Sequence, residues 1–175
     1  MTTPRVAVRP EQPADHAAIA QVNRLAFERD SEAELVARIR AGDSFDPALS
    51  LVALQRDEVV GHILFSPIHI ETSTGDVAAL ALAPMAVRPR VQRRGIGSRL
   101  VRAGLDAAHR SGHKAVIVVG HPNYYPRFGF IPASRFGLSA PFPAPDEAFL
   151  ALELEPGGLT TAGGVVRYPS AFDGA

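Results

Sequence analysis

Hydrophobic positions change period several times along the chain. Val6 and Val8 alternate with polar neighbours between Arg5 and Arg9, which predicts a short strand ended by Pro10 to Pro13. From Ala14 to Phe27 the residues Ile19, Val22 and Ala26 recur at helical spacing, with Asp15 near the start, where a helix dipole favours an acid. Ser31-Glu32-Ala33-Glu34 reads as a capping box that opens a second helix through Leu35 and Ile39, stopped by Gly42. Apolar runs at Leu49 to Gln55 and Val59 to Ser66, separated by Arg56-Asp57-Glu58, predict a hairpin. Pro67 weakens the end of its second strand, which Ile68 to Glu71 continue past a bulge. Thr72 to Asp76 form a turn around Gly75, and Val77 to Val87 form the next strand.

The stretch from Leu82 to Leu105 organises the rest. An apolar run ending in Met85-Ala86-Val87 gives way to a basic turn, Arg88 to Arg94, then to Gly95 and Gly97, then to a helix from Ser98. Leu100, Gly104 and Ala108 share one face of that helix, beside Val101 and Leu105, while Arg99, Arg102, Asp106 and Arg110 fall largely on the other. Gly112 is its expected left-handed cap. A strand, a glycine turn and a helix aim unspent backbone N–H groups at an anion, and glycine lets the ligand approach without a Cβ in the way. Arg88, Arg90, Arg93 and Arg94 would reinforce the field. The spacing excludes a Walker A loop, because Ser98-Arg99 follow Gly97 where Lys-Ser/Thr is needed. It fits a dinucleotide fingerprint poorly, with Leu100 at the third small position and Lys114-Ala115-Val116 where the acid belongs. What remains is Gln92-Arg93-Arg94-Gly95-Ile96-Gly97, a Q/R-x-x-G-x-G/A pattern.

Pro84 cannot donate to a ladder. Either it sits on a tolerant edge strand, or it breaks the pairing and frees the backbone of Met85 to Val87 for another partner. Beyond the helix, Lys114 to Val119 is a continuous apolar run suited to a strand buried on both faces, closed by Gly120, and strand, helix, strand at this spacing predicts a right-handed parallel crossover. After Pro122 one or two helical turns precede extended Phe130-Ile131. Ser134 to Asp146 read as a loop, Phe149 to Glu155 as a long strand, and Val165 to Tyr168 as a short one. Composition narrows the chemistry. The chain has no cysteine, which rules out a thiol nucleophile, disulfides and thiolate metal sites. Its six histidines show no metal spacing, so no metal is expected. Eighteen basic and eighteen acidic side chains balance, so no global field draws in nucleic acid or membrane. Neither a signal peptide nor a membrane span is visible, and a cytoplasmic protein is expected.

The Q-x-x-G-x-G segment, with the strand before it and the helix after it, closely resembles the pyrophosphate-binding motif of the GCN5-related N-acetyltransferases (GNAT). Tyr125-Pro126-Arg127-Phe128-Gly129-Phe130 resembles that family's Y-x-x-x-G-F segment, and GHILFSP, YYPRFGF and FLALEL are similar to a bacterial subgroup. The likeness spans roughly Arg5 to Leu159. It implies the acyl-CoA N-acyltransferase fold: one α/β domain over residues 1–175, core 5–159 and tail 160–175, built on a mixed, mostly antiparallel sheet of about seven strands flanked by helices. It implies acetyl-CoA as co-substrate, wedged between the strand ending at Val87 and the strand Ala115 to Val119, and a primary amine, small-molecule or peptide, as acceptor in a ternary complex. Gln92, Arg93, Arg94, Gly95, Ile96, Gly97 and Ser98 would hold the pyrophosphate. Met85, Ala86 and Val87 would pair with pantetheine, and an N–H among them would meet the oxyanion. Tyr125 would protonate the leaving thiolate. From the residues alone Tyr125 reads first as an aromatic packing on the last strands, the resemblance favours the acid role, and Tyr124 competes for it. His62, His69, Glu71 and His121 are candidate bases, none of them assigned. The family's cofactor-touching asparagine has no match, since Asn123 sits too close to the tyrosine. The loop Ser134 to Asp146, with Phe136, Phe142, Asp146 and Glu147, is either a lid over the amine or an ordinary surface loop. Homodimers are common in that family, and no stripe here marks an interface. Two rivals remain: a non-catalytic acyl-CoA-binding module, and a nucleic-acid binder using Arg88 to Arg102.

Overall fold

A computed structural model describes residue 2, residues 4–159 and residues 163–175. Residues 160–162 of the expected tail, and residues 1 and 3, lie outside the described residues. The strands are β1 Val6–Pro10, β2 Ser50–Gln55, β3 Glu58–Thr72, β4 Gly75–Val87, β5 Ala115–Val119, β6 Ile131–Pro132, β7 Leu138–Ser139, β8 Phe149–Glu153 and β9 Gly164–Arg167. The helices are α1 His16–Phe27, α2 Ser31–Ala41 and α3 Ile96–Arg110. The architecture is a mixed, mostly antiparallel open sheet flanked by helices. Among the described residues the strands number nine, exceeding the expected seven by two-residue pieces around the loop after Phe130. The chain divides into two compact units: Met1–Ser66, Ala83–Ala107 and Ala171–Ala175 form the first, and Pro67–Leu82 with Ala108–Ser170 the second.

In the first unit β1 pairs antiparallel with β2, and β2 with β3 across the Arg56-Asp57 turn, with a register shift at Ala53/Leu54. Ile19 and Val22 of α1 and Leu35, Val36 and Ile39 of α2 close on Val52, Val59, Leu64 and Ala86 of the strands, forming one buried core. The predicted α1 starts late. Pro13–Asp15 make a 3₁₀ turn first, because the Asp15 carboxylate accepts from Gln12 N at 2.7 Å and from Arg9 at 2.7 and 3.1 Å. The capping box does not form on Ser31. The residue preceding α2 is Asp30, whose carbonyl accepts from Glu34 N and whose carboxylate takes Arg24 at 2.9 Å, while Arg29 bonds Glu32.

α3 buries Ile96, Leu100, Val101, Gly104 and Ala108, the stripe that the pattern indicates. Its approach is close. A Cβ added to Gly104 would stand 2.2 and 2.7 Å from the Phe65 ring, and one added to Gly61 2.9 Å from Leu100. Gly104→Ala therefore sets an overpacking cost of about 1–3 kcal/mol against a helix-propensity gain of about 1 kcal/mol. We expect net destabilisation of up to about 2 kcal/mol by denaturant titration; a more stable variant would show that the ring yields freely.

In the second unit β4 pairs parallel with β5 (Leu80↔Val116, Ala81↔Ile117), β5 antiparallel with β8, β8 with β6, and β9 with the far end of β3 and with β7. β3 runs unbroken through Pro67, against expectation. The pairing of β3 with β2 ends at Leu64 and its pairing with β9 begins at His69, so the proline falls in the gap between these two ladders. Pro84 likewise lies inside a continuous β4, three residues beyond the last pair with β5.

Candidate functional site

The turn between β4 and α3 is built from the backbone outward. Arg93 (φ +61°) and Gly95 (φ +82°) both adopt left-handed conformations, and Arg99 N donates to Gly95 O at 3.1 Å. Gly95 is thus the cap, and the helix starts two residues before the expected Ser98, since Ile96 and Gly97 already turn as helix. The N–H groups of Ile96, Gly97 and Ser98 occupy its first turn, where the helix supplies no acceptor. With them goes the positive end of the helix dipole. Gln92 is exposed, and its Nε2 donates to Val87 O at 2.9 Å, tying the turn to the last residue of β4. Met85 is half-buried, and Ala86 and Val87 are buried.

The basic cluster is less available than its spacing suggests. Arg88 donates to Val59 O at 2.9 Å and to Gln21 Oε1 at 3.0 Å and lies 3.5 Å from Glu58, which Arg90 reaches at 2.7 Å. Arg99 donates to Val6 O at 2.9 Å. The expectation that all four arginines of the turn reinforce one field is corrected: Glu58 pairs with Arg88 and Arg90, the Val59 carbonyl and Gln21 also hold Arg88, and Arg93 and Arg94 are exposed on the turn itself. Glu58 offsets the charge of Arg88 and Arg90, whereas Arg99 stays exposed.

In the second unit Tyr125 opens a 3₁₀ turn, Tyr125–Phe128, capped by left-handed Gly129 (φ +99°). Its side chain is buried, edge-on to Tyr124 at 5.1 Å and to Phe130 at 5.8 Å. Burial, and the charge of Tyr124 when ionised, push its phenol well above the ordinary tyrosine value. Tyr124 is half-buried instead, with the Arg127 guanidinium 4.6 Å from its ring centre. The loop Ser134 to Asp146 is held near this region: Gly120 N donates to Ala148 O at 2.9 Å, and Phe142 packs on Phe149 and Tyr168 at 6.4 and 5.8 Å. Phe136 is half-buried, whereas Asp146 and Glu147 are exposed.

Of the candidate bases, His69 stands 3.9 Å from Asp76, Glu71 stands 3.6 Å from Arg167, and His121 is exposed. His62 is fully buried in the first unit within a chain that the sequence does not reveal. Asn23 Nδ2 meets Nδ1 at 3.3 Å, Nε2 meets Ser50 Oγ at 3.0 Å, and Ser50 donates to Glu11. Glu11 also takes Arg40 at 3.0 Å and His16 at 2.9 Å. Burial pushes Glu11 up, but hydrogen bonds from Arg40 and Ser50 and the Arg40 charge outweigh it and hold the carboxyl below its ordinary value. Burial dominates at His62 and lowers it to about 4. Between its ordinary 6.5 and 4, the unfolded chain binds a proton that the folded one refuses. Stability is therefore complete above pH 6.5 and falls as pH drops, by up to about 3 kcal/mol at pH 4 from this residue. Unfolding midpoints measured from pH 7 to 4 should decline, and His62→Gln should flatten the slope in that window; an unchanged slope would remove His62 as its source.

Among the described residues no group of three or more His, Asp or Glu side chains is placed to hold a metal, and no helix is long and apolar enough to cross a membrane.

This sheet, with a left-handed turn delivering a helix start after its central strand, defines an α/β protein. Comparison with known proteins makes the class specific. Residues 7–133 match the model of the acetyltransferase (GNAT) domain. The chain is 41% identical to the Escherichia coli N-acetyltransferase YjhQ over 135 residues, 77% of this chain and 75% of that one. Against the E. coli N-acetyltransferase YhbS it is 34% identical over 167 residues, 95% and 98% of the two chains. The crystal structure of E. coli YhbS in complex with CoA superposes with a TM-score of 0.89 at 32% identity, covering 99% of this chain and 94% of that one. A GNAT acetyltransferase from Brucella melitensis in complex with acetyl-CoA gives 0.78 at 32% identity, covering 98% and 100%. The chain belongs to the GNAT acetyltransferase family and is an acyltransferase.

Proposed function

We propose that the protein transfers an acetyl group from acetyl-CoA to a primary amine, directly and within a ternary complex. The observation that carries this reading is the turn at residues 92–98. Left-handed Arg93 and Gly95 bring the first-turn amides of Ile96 and Gly97 to the place where a pyrophosphate would be held, and the exposed side chains of Arg93 and Arg94 sit on the same turn. That donor set fits a diphosphate, whose charge gains more from it than a neutral ligand of similar size would. The CoA and acetyl-CoA complexes of YhbS and the Brucella acetyltransferase support the same ligand.

Bound acetyl-CoA would supply an activated thioester carbonyl. The backbone of Met85 to Val87 would align the pantetheine arm, and an N–H of that segment would donate to the oxygen on which charge develops. Tyr125 would give its Oη proton to the departing thiolate. The burial that raises its phenol keeps the proton in place and also makes it a weaker donor, so transfer would require the thiolate within hydrogen-bond reach. The acceptor is a small-molecule or peptide amine.

Calorimetric titration of acetyl-CoA into the protein, followed by thiol-release assays over a panel of primary amines, tests the reading. Micromolar binding with amine-dependent thiol release supports it, and no binding by the wild type sinks it.

A further inference from the structure

We infer that Gly120 is a positioning residue for the reaction: the space left by its missing side chain seats the ring of Tyr125. The inference rests on the acid role proposed above for that tyrosine. A Cβ built on Gly120 would lie 2.3 Å from Cε2, 2.7 Å from Cδ2 and 3.4 Å from Cζ of Tyr125. These are ring atoms of a buried side chain, not the far end of a flexible one, so the ring would have to move.

Backbone conformation does not require glycine here. The left-handed glycines of the second unit include Gly112, Gly129 and Gly137, and Gly120 is not among them. What the position needs is space, and alanine is excluded only by the ring. The seat itself is fixed. Gly120 directly follows β5, and its N–H donates to Ala148 O at 2.9 Å, extending the ladder in which Val119 faces Phe149. The other sides of the ring are also fixed. Tyr124 stands edge-on at 5.1 Å and 85°, and Phe130 at 5.8 Å and 77°. The chain that carries Tyr125 is pinned by Tyr125 N to His121 O at 3.3 Å and by Gly129 N to Pro126 O at 3.0 Å. A planar ring lying against a flat backbone, with aromatic edges beside it, has one orientation, so the direction of its hydroxyl is set before any ligand arrives. The seat also separates the two adjacent tyrosines. Tyr125 occupies it, whereas Tyr124 lies under the Arg127 guanidinium.

The experiment compares Gly120→Ala, Tyr125→Phe and the double variant, by steady-state kinetics and by NMR titration of labelled tyrosine rings. Gly120→Ala is expected to lower kcat by about 10- to 100-fold, the scale of an ångström-sized misplacement, with KM for acetyl-CoA unchanged. In the Tyr125→Phe background the same change should lower kcat less than about threefold, because the two act as one unit. The Tyr125 phenol should titrate lower, toward about 10, as the displaced ring meets water. Equal losses in both backgrounds, or an unchanged Tyr125 titration, would overturn the seat. If Tyr125→Phe alone keeps full kcat, the acid reading fails, and the titration still reports whether Gly120 holds the ring. Should Gly120→Ala fail to fold, Gly120→Ala combined with Tyr125→Ala must fold as Tyr125→Ala does, since the obstructing ring is gone; failure of that pair would also overturn the inference.

Discussion

Tyr125→Phe should lower kcat by about 10²- to 10⁴-fold, the range that a positioned proton donor contributes, while acetyl-CoA binding and stability stay near wild type. The substitution removes one oxygen and keeps the ring, so the edge-on contacts with Tyr124 and Phe130 and the seat on Gly120 survive. Burying an apolar ring in that surround costs nothing, because the hydroxyl was already largely desolvated. Rapid-quench or thiol-release kinetics, with calorimetry for CoA affinity, separate the two readouts. The result also decides against the rival of a non-catalytic acyl-CoA-binding module, which needs the phosphate turn but no acid. A variant that turns over at the wild-type rate would leave the transfer reading without its donor.

Gly97→Glu should weaken acetyl-CoA binding by about 100-fold or more, since like charges brought together cost several kcal/mol. Gly97 is the second residue of α3, within its positive end. A glutamate there favours the helix twice over, by replacing a poor helix former and by complementing the dipole, so the fold is expected to survive. The same carboxylate would then occupy the amides meant for pyrophosphate and repel its charge. Gly97→Ala is the control. It adds bulk without charge, and its smaller loss isolates the electrostatic part. Calorimetry reads both, and retained affinity in Gly97→Glu would mean that the turn does not hold the diphosphate.

The segments that carry the proposed site were legible because their signals are local. The apolar run into Val87, the glycine pair and the Leu100–Gly104–Ala108 stripe announce a strand, a turn and a helix in one continuous stretch from Leu82 to Ala108. The error there was the helix start: Gly95 and Gly97 read as loop, but glycine also serves as a cap, and its carbonyl takes Arg99 N. Ser31 to Glu34 has the letters of a capping box, yet the position before α2 belongs to Asp30, a choice made by Arg24 and Arg29 from outside the motif. β3 passed through Pro67 because the change of partner from β2 to β9 is a property of the sheet. Long-range pairings were invisible for the same reason. Nothing near Glu58 says that it will take Arg88 and Arg90, and nothing near His62 says that Asn23 and Ser50 will enclose it. Gly120 looked like punctuation after a strand, and its size acquires meaning only with the Tyr125 ring on top of it.

The turn at residues 92–98 grips through main-chain atoms, and this sets what mutagenesis can find there. An alanine scan removes side chains and leaves every N–H in place, so Ile96 and Ser98 would score as bystanders in affinity even while their amides carry the load. The site answers to changes that act on the chain itself: an ester in place of an amide, a D-amino acid at Gly95, a proline where an N–H is needed. The most important contacts of the proposed enzyme would thus be the ones that side-chain chemistry leaves unmarked.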